Sequence, residues 1–188
     1  MSVRTVPPFR LAAIPLAVLL LVACDPRPFP PPAVESFVHT REVPPLGSAV
    51  DSYDEAIVTI TGTDDLRHVL AVKVAHRSEE LLQGLSGVAN VPRGTGLLHL
   101  YPAEQEGGIS PANLSTPVDT AFVDADGEVV AVLRVVPCDT SRPCVLADPE
   151  VAYQAVLQVA TGWFADHRIE RGATFEVGPV GPARTVRG

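Results

Sequence analysis

The run Val118–Val136, VDTAFVDADGEVVAVLRVV, limits the fold more than any other stretch of the chain. Two apolar-rich phrases, Val118–Val123 and Glu128–Val136, flank the turn Asp124-Ala125-Asp126-Gly127. The glycine supplies a residue that tolerates positive φ, so the run reads as a β-hairpin. An isolated hairpin is marginal in water and needs more strands around it. Glu55–Thr61 and His68–Ala75 alternate apolar and polar residues about the polar turn GTDD and form a second hairpin. Gly96–Tyr101, Tyr153–Ala160 and Ala173–Val177 are further short strands. The helical phrases are brief. Arg77–Gly84 has acidic residues near its start, which suit the helix dipole, and a glycine at its end. Trp163–Ile169 is a short helical turn. Gly107–Pro117, GGISPANLSTP, is too rich in turn formers for a regular element. Six or seven short strands with one or two short helices predict a mainly β, mainly antiparallel sandwich or barrel.

Residues 1–23 carry the three parts of an export signal: basic Arg4 and Arg10, an apolar stretch from Leu11 to Val22, and small Ala23 before the cut. A membrane span needs ~20 apolar residues. This run is about a dozen long and is interrupted by Pro15. Leu21-Val22-Ala23-Cys24 resembles the lipobox of bacterial lipoproteins, in which the cysteine is acylated and becomes the new N-terminus. Two acyl chains anchor stably, at ~0.8 kcal/mol per buried methylene. The expected location is therefore outside the cytoplasm, lipid-anchored to a bilayer through Cys24.

Residues 24–52 then form a lipidated, proline-rich tether, with seven prolines between Asp25 and Asp51. Extended polyproline II at ~3.1 Å per residue lets it reach ~80 Å at most. Residues 53–178 make one compact domain, and 179–188 a frayed tail. Removing residues 1–23 leaves 12 basic against 22 acidic residues, a formal charge of −10. So acidic a surface argues against nucleic acid as a partner. With Cys24 acylated, Cys138 and Cys144 remain in PCDTSRPC. An oxidising compartment makes them a local disulfide; a redox pair or half a zinc site are the alternatives.

Candidate chemistry is sparse. Asp119 stands among apolar neighbours, where a desolvated carboxylate can serve as a general base; its alternative is to accept backbone hydrogen bonds. Asn113 can orient a ligand or make an Asx-type turn. His99 lies in the apolar phrase LLHLY and is either a ligand contact or a core histidine. His39, His68, His76, His99 and His167 show no metal-ligand spacing, so no metal and no cofactor are implied. Asp124, Asp126 and Glu128 lack the full spacing of a calcium loop. No nucleophile elbow or phosphate-cradling glycine loop is present.

The order of VKVAHRSEELLQGLSG, GLLHLY, NLSTPVDTAFVDADGEVVAV, PCDTSRPC and AYQAVLQVATGWFADHRIERGATFEV resembles the bacterial and archaeal family catalogued as domain of unknown function 192, over about Ile57 to Val177. Gly84 and Leu85 match its Gly-Leu pair, and Gly96-Leu97-Leu98 its Gly-Met-Leu strand entry. Asn113, Pro117, Asp119, Phe122, Asp124 and Gly127 match Asn-Thr-x-x-Pro-x-Asp and the hairpin. The resemblance implies a jelly-roll-like antiparallel fold in exported or lipid-anchored single domains, with no established biochemical function. Where the family commonly has Phe-Trp-Met-Lys, this chain has Ile109-Ser110-Pro111-Ala112, and Leu114 replaces the Thr. The aromatic platform and the lysine are absent.

The expected function is a non-enzymatic extracytoplasmic module that binds a small molecule, glycan or envelope protein through the 108–119 loop and its adjoining strand. The alternatives are a hydrolytic enzyme using Asp119 with Asn113, and an accessory or assembly factor.

Overall fold

The computed structural model describes residues 43–139, 141 and 143–182. The proposed signal, Cys24, most of the tether and the end of the tail lie outside these residues. Seven strands and two short helices follow in the order β1 (Asp54–Thr61), β2 (Arg67–Ala75), α1 (Ser78–Gln83), β3 (Thr95–Gln105), β4 (Val118–Val123), β5 (Val129–Val135), β6 (Tyr153–Ala160), α2 (Trp163–Asp166) and β7 (Thr174–Val177). Both expected hairpins form, β1 with β2 and β4 with β5. In the second, Asp124 Oδ1 accepts the Asp126 and Glu128 N–H groups, a plain Asx turn.

The strands make one sheet of order β5-β4-β6-β3-β2-β1-β7. Its edges meet. Val129 N–H donates to Ala173 O at 2.8 Å, Gly172 N–H to Val129 O at 2.9 Å, and Phe175 N–H to Gly127 O at 2.7 Å. These bonds curl the sheet towards a barrel and cover two otherwise exposed edges. The mainly β expectation holds, with one departure from antiparallel pairing: β2 and β3 run parallel. A parallel pair needs a long crossover, and α1 with residues 84–94 supplies it.

Inside the curl lies the main core, with Val58, Ile60, Leu70, Val72, Leu98, Leu157, Val159 and Phe164 among its members. A second apolar cluster lies on the outer face, where Leu97, Val118 and Val135 are covered by Leu46, Val50, Tyr53, Leu85, Val88 and Val91. Packing therefore begins at Leu46, upstream of Tyr53. Strand β3 passes so close to β6 that a Cβ on Gly96 would stand 2.5 Å from Gln158 O. Only glycine fits there.

Candidate functional site

Asp119 points to the inner face, at the end of the curl that α2 covers. Its register partner across the hairpin is Arg134. Arg134 Nε donates to Asp119 Oδ1 at 2.8 Å, and Nη2 to Oδ2 at 3.4 Å. The Gly162 N–H donates to Oδ2 at 2.6 Å. Gly162 holds φ +86, a left-handed conformation that side chains rarely adopt, where the chain turns into α2. Hydrogen bonding and attraction from Asp119 raise the Arg134 guanidinium above its ordinary range. Asp119 is buried, and both its oxygens accept hydrogen bonds, Oδ1 from Arg134 and Oδ2 from Gly162 and Arg134.

Two depressions flank this knot. The larger, about 660 Å³, is lined by Asp119, Arg134, Arg168, Asp64, Glu170 and an apolar floor that includes Val132 and Ile169. The smaller, about 290 Å³, is lined by Asn90, Arg93, Thr116, Pro117 and Thr161. Thr161 Oγ1 donates to Pro117 O at 2.9 Å, and Arg93 Nη1 pairs with Asp166 Oδ2 at 2.6 Å. The loop expected to carry the site thus reaches the smaller depression through Thr116 and Pro117.

Asn113, Asp119 and His99 are not brought together. Asn113 is exposed on a turn closed by Leu114 N–H to Pro111 O at 3.1 Å, and it lines neither depression. His99 lies on the opposite face of the sheet from Asp119, because it shares a row with Val156 and Phe122. Its Nε2 is 3.2 Å from Gln158 Oε1. Burial pushes its imidazole down to about 4, against the hydrogen bond that Nε2 donates to Gln158, so it is neutral in the fold. Its Nδ1 and the Thr120 hydroxyl are buried without a hydrogen-bond partner among the described residues. Beside it, burial and Tyr153 push Tyr101 up to about 12. This is the chemistry of a core histidine.

Cys138 and Cys144 are joined as a disulfide. His68 and His167, distant in sequence, meet with ring centroids 4.9 Å apart, yet no group of three metal-ligating side chains forms among the described residues. The functional groups that sequence reasoning missed are Arg134, Gly162, Arg93 and Arg168. The first was within reach, since the hairpin register that pairs Val118 with Val135 also pairs Asp119 with Arg134.

Solved structures share this architecture. A protein of Sinorhizobium meliloti 1021, described as a candidate transcription regulator, superposes with a TM-score of 0.61 at 20% identity, over 67% of this chain and 95% of its own. A protein of unknown function from Novosphingobium aromaticivorans DSM 12444 gives 0.51 at 23% identity, over 71% of this chain and 99% of its own. At these identities the likeness shows the fold alone. A search of the curated proteins finds no match. The family model of DUF192, described as an uncharacterized ACR, matches residues 57–177, from the middle of β1 to the end of β7. That span holds β2 to β7, most of β1 and the whole Asp119 knot, and by it the chain belongs to the DUF192 family.

Proposed function

We propose that this protein is a non-catalytic binding module, displayed outside the cytoplasm on a membrane by acylated Cys24, with the two depressions beside Asp119 as its ligand site. The observation that carries this reading is the state of Asp119: its oxygens are bonded to Arg134 and Gly162 N–H, so it braces a wall of the larger depression. A braced carboxylate holds a site rigid, whereas a general base keeps an oxygen directed at a substrate proton. The larger depression, about 660 Å³, falls in the range of small-molecule sites. The lipobox-like Leu21–Cys24 supports the anchor, and the acidic balance supports a partner other than nucleic acid.

A thermal-shift panel on the full chain in detergent tests the binding role, using envelope sugars, peptidoglycan fragments, amino acids, nucleotides and divalent metals. A ligand at a hundredfold its Kd stabilises by ~2.7 kcal/mol. At least one class is expected to do so, and a flat panel on a cooperatively folding chain removes the reading. Turnover of a hit that Asp119→Asn abolishes, with the fold intact, would make the chain a hydrolase instead. The anchor has its own readout: Cys24→Ser should lose the acyl mass and release the protein from membranes.

A further inference from the structure

We propose that the larger depression takes a small zwitterion with an apolar body, a free α-amino acid or dipeptide bearing an apolar side chain. This rests on the reading that the depression is a ligand site. Its carboxylate is held by Arg134 and Arg168, and its ammonium by Asp64 and Glu170.

Each of these four groups keeps unused hydrogen-bonding capacity. Arg134 gives Nε and Nη2 to Asp119, and its Nη1 enters no hydrogen bond among the described residues. Arg168 Nη1 stands 3.8 Å from Asp64 Oδ2, beyond hydrogen-bond reach, with 79% of the Arg168 side chain exposed. Arg168 is also held at φ 53, a conformation unusual for a side-chain-bearing residue and frequent where a functional group is aimed. Asp64 accepts the Leu66 N–H on Oδ1, and its Oδ2 accepts no hydrogen bond among the described residues, with Arg168 as its loose ion-pair partner. Glu170 accepts the Thr63 hydroxyl on Oε1, which leaves Oε2. Free donors and free acceptors thus surround one apolar floor, which includes Val132 and Ile169.

Charge selects between ligand classes. Three carboxylates and two guanidiniums line the depression, and the chain as a whole carries −8. A bare anion meets repulsion, and a bare cation gives the free Nη1 of Arg134 and the guanidinium of Arg168 no acceptor of its own. A zwitterion satisfies both sets with no net charge to repel.

Isothermal titration calorimetry on the full chain in detergent tests this with leucine, phenylalanine and Leu-Leu, against 4-methylpentanoate and 3-methylbutylamine, which carry one charge each. At least one zwitterion should bind, and each single-charge analogue should bind about tenfold more weakly or not at all, because a charge-assisted hydrogen bond is lost. Arg168→Gln and Glu170→Gln, both on exposed side chains, should each weaken zwitterion binding about tenfold at unchanged Tm. Silence of all three zwitterions, or equal affinity for the single-charge analogues, overturns the proposal. If a sugar or nucleotide stabilises the chain while the zwitterions are silent, the zwitterion assignment fails and the binding module stands; if every compound is silent, both fail.

Discussion

Replacing Asp119 separates a bracing carboxylate from a reactive one. In the fold its Oδ2 accepts the half-buried Gly162 N–H at 2.6 Å, and Arg134 closes on Oδ1 at 2.8 Å. Asp119→Ala leaves that N–H without an acceptor. A lost hydrogen bond to a charged group costs about 1.5–3 kcal/mol, and the vacated space adds to it. Arg134 is half exposed and turns to water, so its share is small. The expected loss for Asp119→Ala is about 3 kcal/mol. Asp119→Asn keeps one carbonyl oxygen, which can serve Gly162, and turns its NH₂ towards Arg134, so it should cost about 1 kcal/mol. In a domain of this size each kcal/mol moves Tm by roughly 3 °C. Differential scanning calorimetry should therefore show falls of about 9 °C and 3 °C. An Asp119→Asn protein as stable as the parent, or more stable, would refute the bracing role, since relief of a strained functional carboxylate raises stability.

Gly96→Ala should destabilise by about 3 kcal/mol or block folding, because the added Cβ would meet Gln158 O at 2.5 Å and Val159 Cγ1 at 2.9 Å; urea unfolding reads this, and a change under 1 kcal/mol by roughly that scale of overpacking would show the strands free to separate. His99 is neutral in the fold down to about pH 4, against an ordinary 6.5. The unfolded chain therefore binds more protons between these values, so stability is full above about pH 6.5 and falls as pH drops towards 4. Urea midpoints measured across that window should fall less steeply for His99→Gln, which keeps a donor for Gln158. An unchanged slope would place the acid sensitivity elsewhere. Reduction of Cys138–Cys144, which closes a loop of sequence separation 6, should lower stability by about 2 kcal/mol on the chain-entropy account; no shift in Tm with reductant would show that the loop is held without it.

Much of the sheet was legible because strand periodicity is local. Tyr153–Ala160 is a strand at the expected bounds, and the hairpin ends agree within a residue or two. The edge closure between Val129 and Ala173 and the parallel β2–β3 pair were not legible, since neither depends on alternation within a strand. Leu46 and Val50 also escaped notice. They are single apolar residues in a proline-rich stretch, without a period to mark them, yet both are buried under the outer layer. At the site, Asp119 stood out as a charge among apolar residues, whereas Gly162 became meaningful only once the fold brought its N–H to that charge. Asn113 was suggested by composition, but exposure on a turn gives it no partner to work with among the described residues.

The binding role puts a ligand at the mouth of the curl beside Asp119. Its most direct test is an NMR titration of the isotopically labelled full chain with the compound that gives the largest thermal shift, following the Gly162 amide and the Arg134 and Arg168 side-chain Nε–H groups. These three resonances should move together and saturate at one Kd, while His99 and the Pro111–Leu114 turn stay still. Saturable changes confined to that turn or to the His99 face, with Gly162 and both arginines unmoved, would contradict it.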